Sequence, residues 1–203
     1  MSVYKHSSGK RFLFIHIPRT AGRFIEKNLE RQDWEWDNNL SIKKQYESVD
    51  DVEVAHFHRE LYEKHLDVNG IPHITVVRNP IDRFISASIY LKRMYGDDIQ
   101  SLIEDEMYFY SMLHNFPIPE SRNWYRPQVH FVSNKTHVWK FEDGFGENFS
   151  KWMSNILGVE VEMKKVDYRP DADESNKLER SVKLVSLLKD FYSDDLMYFN
   201  YPS

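Results

Sequence analysis

The chain has no cysteine in 203 residues. That excludes a disulfide framework, a thiolate metal site and a cysteine nucleophile. A reducing compartment fits best, and a cytoplasmic protein is the expectation. Long apolar runs are absent too. The longest are about four residues, such as Phe12-Leu13-Phe14-Ile15 and Ile74-Thr75-Val76-Val77. A spanning helix needs roughly 20 apolar residues, so no membrane partner is expected. The N-terminus also lacks the apolar stretch of a signal peptide. An excess of positive charge is missing: the net charge is −5, with both signs mixed along the chain. Nucleic-acid binders usually show a basic face, so no nucleic-acid partner is expected. Repeats and low-complexity tracts are absent. What the chain does have is length enough for one domain over residues 1–203 with a substantial core. Aromatic residues make up 15% of it. A core rich in Phe and Tyr is the plain reading; a carbohydrate-stacking surface is the sharper one.

Strands and helices are expected to alternate. Arg11 to Ile17 reads as a buried strand, stopped by Pro18, with a helix from Gly22 to about Arg31. Val52 to Phe57 alternates like a second strand, and His58 to Leu66 has helical character. Asn69-Gly70 signals a turn. His73 to Val77 is a third strand, and Asn79-Pro80 opens a helix to about Tyr95. Helices are expected over Asp97 to Asn115 and Asn123 to Val132, and a fourth strand over Thr136 to Phe141. Further helices follow from Gly146 to Leu157, from Asp173 to Lys189 and from Asp194 to Phe199. This order predicts an α/β fold with a mainly parallel central sheet flanked by helices. Ligands in such sheets lie beyond the C-terminal strand ends.

Two strand-end segments carry the chemistry. After strand one, Pro18-Arg19-Thr20-Ala21-Gly22 enters a helix whose first N–H groups are unpaired. Arg19 adds a cation that can grip a phosphate or sulfate. The string is not a Walker A loop, which disfavours an ordinary P-loop kinase or ATPase. After strand three comes Arg78-Asn79-Pro80-Ile81-Asp82-Arg83-Phe84-Ile85-Ser86. Arg78 ends a buried strand, where a charge is costly unless paired. Arg78 and the Ser86 hydroxyl, eight residues on, can both meet one phosphate; pairing of Arg78 with Asp82 is the plainer alternative.

Together these segments resemble the sulfotransferases that use 3′-phosphoadenosine 5′-phosphosulfate (PAPS). The closest likeness is to the carbohydrate, heparan sulfate 2-O- and 6-O-type enzymes and their bacterial and viral relatives. The family's 5′-phosphosulfate loop reads Pro-Lys-Thr-Gly/Ala-Gly-Thr-Ser; this chain has Pro18 through Phe24 there. Its 3′-phosphate motif is an Arg at a strand end with Ser eight residues later, and Arg78 to Ser86 matches it throughout. The resemblance implies a P-loop-like three-layer fold and PAPS as co-substrate, with no metal. It implies that Arg19, Thr20, Ala21, Gly22, Arg23 and Phe24 hold the phosphosulfate, and Arg78 with Ser86 the 3′-phosphate. It implies an acceptor with a free hydroxyl, a glycan. Arg19 stands in for the family Lys, and Arg23-Phe24 for its Thr-Ser.

The acceptor proton needs a base, and an unperturbed His titrates near 6.5. His56 and His58 precede Arg78 by 22 and 20 residues, and the resemblance implies a catalytic His about there. Two residues apart on a strand, both would share a face; the Ala55-His56-Phe57 setting favours His56. A metal held by this pair finds no third ligand nearby. His16 reads as a packed or supporting residue. Lys164, Lys165, Tyr168 and Arg169 form a basic loop that either covers the nucleotide or is solvated. Trp34, Trp36, Trp124, Tyr125 and Arg126 are candidates for an acceptor groove or for core. Glu142 is expected to tie neighbouring backbone. A nucleotide phosphotransferase and a non-catalytic nucleotide- or glycan-binding descendant are the rival functions. Oligomeric state is not readable from the chain.

Overall fold

A computed structural model describes residues 1–37, 48–49, 52–95, 122–164 and 181–202. The strands are β1 (Ser2–His6), β2 (Arg11–Ile15), β3 (Trp34–Trp36), β4 (Ser48–Val49), β5 (Val52–Glu53), β6 (His73–Val77) and β7 (Thr136–Lys140). The helices are α1 (Gly22–Leu29), α2 (Arg59–His65), α3 (Pro80–Tyr95), α4 (Glu147–Leu157), α5 (Val182–Phe191) and α6 (Ser193–Tyr198). Among the described residues, no helix is long and apolar enough to cross a membrane.

The fold is α/β, but its five-stranded sheet is mixed rather than mainly parallel. The order is β3-β1-β2-β6-β7. Only β2, β6 and β7 run parallel, with Phe14 opposite Ile74 and Ile74 opposite His137. β1 is antiparallel to both β2 and β3. β1 has only Val3 and Tyr4 as apolar residues, too few for a strand signal. It forms because a turn at Ser7-Ser8-Gly9 folds it back on β2, where Tyr4 stacks on Phe12. Trp34 packs edge-on to Phe12 and is buried in β3, so it serves the core rather than an acceptor groove.

Side chains alternate across β2 and give each face its own core. Leu13 and Ile15 meet Val54, Phe57, Tyr62, Phe131 and Phe199 on one face. Phe12 and Phe14 meet Ile25, Leu29, Phe149 and Met153 of α1 and α4 on the other. The parallel trio therefore ends in one row: the loops after Ile15, Val77 and Lys140 leave from the same sheet edge.

Three further expectations are corrected. The second strand is only Val52–Glu53, paired with Ser48–Val49 outside the main sheet. Val54–His56 is a 3₁₀ turn. Its start is held because the Val54 carbonyl accepts both the Met1 amino group at 2.9 Å and the Phe57 N–H at 3.3 Å. His56 and His58 therefore do not share a strand face. The helix expected over Asn123 to Val132 is two 3₁₀ turns, Arg122–Trp124 and Gln128–His130. Pro127 separates them, having no N–H to continue a helical ladder. The helix expected from Asp173 begins at Val182, where Ser181 Oγ accepts the Leu184 N–H at 3.1 Å. Residues 173–180, the helix expected over Asp97 to Asn115, and Lys165, Tyr168 and Arg169 lie outside the described residues.

Candidate active site

The loop from His16 to Gly22 is held by its own side chains. Thr20 is buried, and its hydroxyl donates to the Ile17 carbonyl at 2.9 Å. Thr20 thus offers a ligand only its backbone. Arg19 and Ala21 both adopt left-handed backbone, with φ of 67° and 72°. That costs about 1–2 kcal/mol for each residue bearing a Cβ. Ala21 precedes α1, and no side chain caps the helix start. The Phe24 and Ile25 N–H groups donate to the Ala21 carbonyl at 3.0 and 3.2 Å, and a first helical turn is where anions meet backbone N–H groups. Arg23 is exposed, and Phe24 turns into an aromatic cluster, 5.5 Å from the Phe145 ring centre. Phe24 therefore contributes packing where a hydroxyl was the family expectation.

The β6 end is clamped from behind. Gln128 is fully buried; its Oε1 accepts the Arg78 N–H at 2.9 Å and its Nε2 donates to the Arg78 carbonyl at 2.8 Å. Asp195 in turn accepts the backbone N–H groups of Gln128 and Val129 at 2.8 and 2.9 Å. Asn79 then caps α3, its side chain accepting the Ile81 N–H at 3.0 Å. Glu142 accepts the Asn79 N–H at 2.6 Å and the Tyr201 hydroxyl at 2.9 Å, so it ties backbone as expected.

These two frames bring Arg19, Arg78 and Ser86 together. Arg19 Nε donates to Ser86 Oγ at 3.0 Å. Arg78 Nη1 donates to the Arg19 carbonyl at 3.4 Å, and its guanidinium lies 4.5 Å from the Phe141 ring centre. Burial draws the Arg78 pKa down; the Asp82 carboxylate opposes this, and the Arg19 charge adds to the fall. Two like charges so arranged favour an anion between or beside them.

The histidines form the other wall. His16 Nδ1 meets Glu26 Oε1 at 3.0 Å, both buried. The His16 ring touches the His56 ring, centres 5.1 Å apart, and His56 lies 5.1 Å from Trp124. Trp124 stacks on Tyr90 at 4.7 Å, and the Arg19 guanidinium covers Tyr90 at 4.9 Å. One continuous row thus links the cations to the histidines. Asn123 Nδ2 donates to the His56 carbonyl, fixing that turn. Arg83, wholly buried, donates to the carbonyls of Trp124 and Arg126 at 2.8 and 2.7 Å.

His58 keeps different company. Its Nε2 is 3.8 Å from Glu60. Burial lowers its pKa to about 4, with the Arg126 charge adding to the fall and Glu60 opposing it. Lys164 pairs with Glu162 at 2.9 Å on the surface. Among the described residues, no group of three or more His, Asp or Glu stands ready for a metal.

Glu26, Tyr90 and Gln128 escaped the sequence reading. Glu26 had a signal: it falls beside Ile25 and Leu29 on the buried face of α1. Gln128 had none, since nothing local marks a side chain that bonds a residue 50 positions away. No family model matches this chain, and neither the curated proteins nor the solved structures yield a match.

Proposed function

We propose that the chain is a sulfotransferase that moves a sulfuryl group from PAPS to an acceptor hydroxyl of a carbohydrate. The observation that carries this reading is the convergence of Arg19, Arg78 and Ser86 at one sheet edge. A P-loop-like arrangement belongs to the same proposal. The β2–loop–α1 order and helices on both sheet faces support it.

In this reading the backbone of residues 19–22 and Arg19 take the 5′-phosphosulfate. Arg78 and Ser86 take the 3′-phosphate; the Ser86 hydroxyl accepts from Arg19 and still has its own proton to donate. A histidine removes the acceptor proton, the acceptor oxygen bonds to sulfur, and the bond from sulfur to the bridging oxygen breaks. Adenosine 3′,5′-bisphosphate departs with that electron pair, and Arg19 balances its charge. Arg does this electrostatically, since it does not readily give up a proton. His56 lies in the aromatic row that ends at Arg19. His58, with its pKa near 4, is the poorer base at neutral pH. The Tyr90–Trp124 stack beside Arg19 supports an acceptor with ring faces.

The test is turnover. The chain is incubated with PAPS and a panel of oligosaccharides, and products are weighed by mass spectrometry. Acceptor-dependent gain of one sulfuryl group is expected. Magnesium-dependent consumption of ATP with no use of PAPS would overturn the reading in favour of a phosphotransferase.

A further inference from the structure

We infer that His16, held by Glu26, is the group that takes the acceptor proton. This rests on the sulfotransferase reading and moves the base from His56 to its neighbour.

A general base needs a defined tautomer, a free lone pair and a place beside the reacting atoms. His16 Nδ1 meets the buried Glu26 carboxylate at 3.0 Å. His58 instead has a buried Nδ1 without a hydrogen-bond partner among the described residues. At 3.0 Å the Glu26 carboxyl is within hydrogen-bond reach of His16 Nδ1, and both side chains are buried. An ionised carboxylate only accepts, so His16 Nδ1 carries the proton. In the neutral ring the lone pair is then on Nε2, the nitrogen that Glu26 does not hold.

Nε2 also has the right address. A Cβ added at Gly22 would lie 2.1 Å from both His16 Nε2 and Cδ2. That ring edge therefore fills the space over the Gly22 α-carbon, at the mouth of the loop proposed to hold the phosphosulfate. Glycine is required there because any side chain would occupy the place of the imidazole. The other face of the cluster is the His56 ring. The charged and titratable groups around the pair are His56 from the 3₁₀ turn, Arg23 from α1 and the Met1 amino group.

The step balances as follows. The acceptor O–H bond breaks and its proton goes to His16 Nε2. The oxygen bonds to sulfur, and the bond from sulfur to the bridging oxygen breaks, its pair leaving on the phosphate. Glu26 offsets the imidazolium charge.

Three measurements test this. Nitrogen-15 NMR of the native chain, at a pH where the His16 ring is neutral, is expected to show it protonated at Nδ1 and bare at Nε2. H16Q is expected to lower kcat about 10²–10⁴-fold, more than H56Q does, while adenosine 3′,5′-bisphosphate still raises its melting temperature. E26Q, which replaces the carboxylate by an amide that can also donate, is expected to weaken the Nδ1–H preference in the same nitrogen-15 spectra and to lower kcat. An Nε2–H tautomer in the native chain, a fully active H16Q, or a larger loss in H56Q overturns the assignment. A native chain that sulfates no acceptor overturns the proposed function itself, whereas an active H16Q removes only this base.

Discussion

The two walls of the site are built by opposite means. Arg19, Arg78 and Ser86 are half-buried, and their positions are set by backbone. Left-handed residues turn Arg19 inward, and Gln128 clamps Arg78 from behind. His16, Glu26 and His56 are buried, and their positions are set by side-chain packing. The difference follows from the work proposed for each wall. A cation that must meet an incoming anion gains from partial exposure, because a fully dry, unpaired charge is too costly to keep. A proton acceptor gains from burial beside one carboxylate, because that fixes its tautomer.

Among effects on binding and stability, breaking the cationic wall is expected to have the largest. R78A should weaken adenosine 3′,5′-bisphosphate binding by about 1.5–3 kcal/mol, roughly 10- to 150-fold, as for a lost charged hydrogen bond. Binding of 5′-AMP, which lacks the 3′-phosphate, should change far less; isothermal titration reads both. Next comes the packed wall. G22A forces a Cβ into the His16 ring, at a cost of about 1–3 kcal/mol in thermal or denaturant unfolding. Adding H16A should recover much of that loss, which shows that the contact, not the backbone, is responsible. R19K keeps the charge but loses the Nε donor to Ser86, and should cost about 0.5–1.5 kcal/mol of product binding. The smallest effect concerns His58, outside both walls. Its pKa falls from 6.5 to about 4 on folding, so between those values the unfolded chain holds a proton that the folded chain does not. Stability is then full above pH 6.5 and declines as pH falls toward 4. H58Q should flatten that part of the melting-temperature profile.

The cationic wall was also the more legible. The spans His73–Val77 and Pro80–Tyr95 match the sequence reading, because a continuous β-branched run and an Asn-Pro start are local signals. The Arg78–Ser86 spacing and the Pro18–Gly22 loop stood out for the same reason. The packed wall was not legible. Val52 to Phe57 alternates like a strand, yet the Val54 carbonyl is taken by Met1, 53 residues away. His16 read as a packed or supporting residue and is buried, but its partner Glu26 lies on another element and was not foreseen. The antiparallel strands β1 and β3 failed for a related cause: Tyr4 and Trp34 show their burial only once Phe12 stacks between them. Local signals found the strand, the loop and the spacing of Arg78 and Ser86; they missed the distant side chains, Gln128 and Glu26, that hold both walls.

The central claim is a pocket that grips one nucleotide through two guanidinium groups. Its most direct test is a paired calorimetric titration of the native chain with adenosine 3′,5′-bisphosphate and with 5′-AMP. The bisphosphate should bind at least about tenfold more tightly, the value of one charge-assisted phosphate contact. Equal affinities, or no binding of either, would contradict the account.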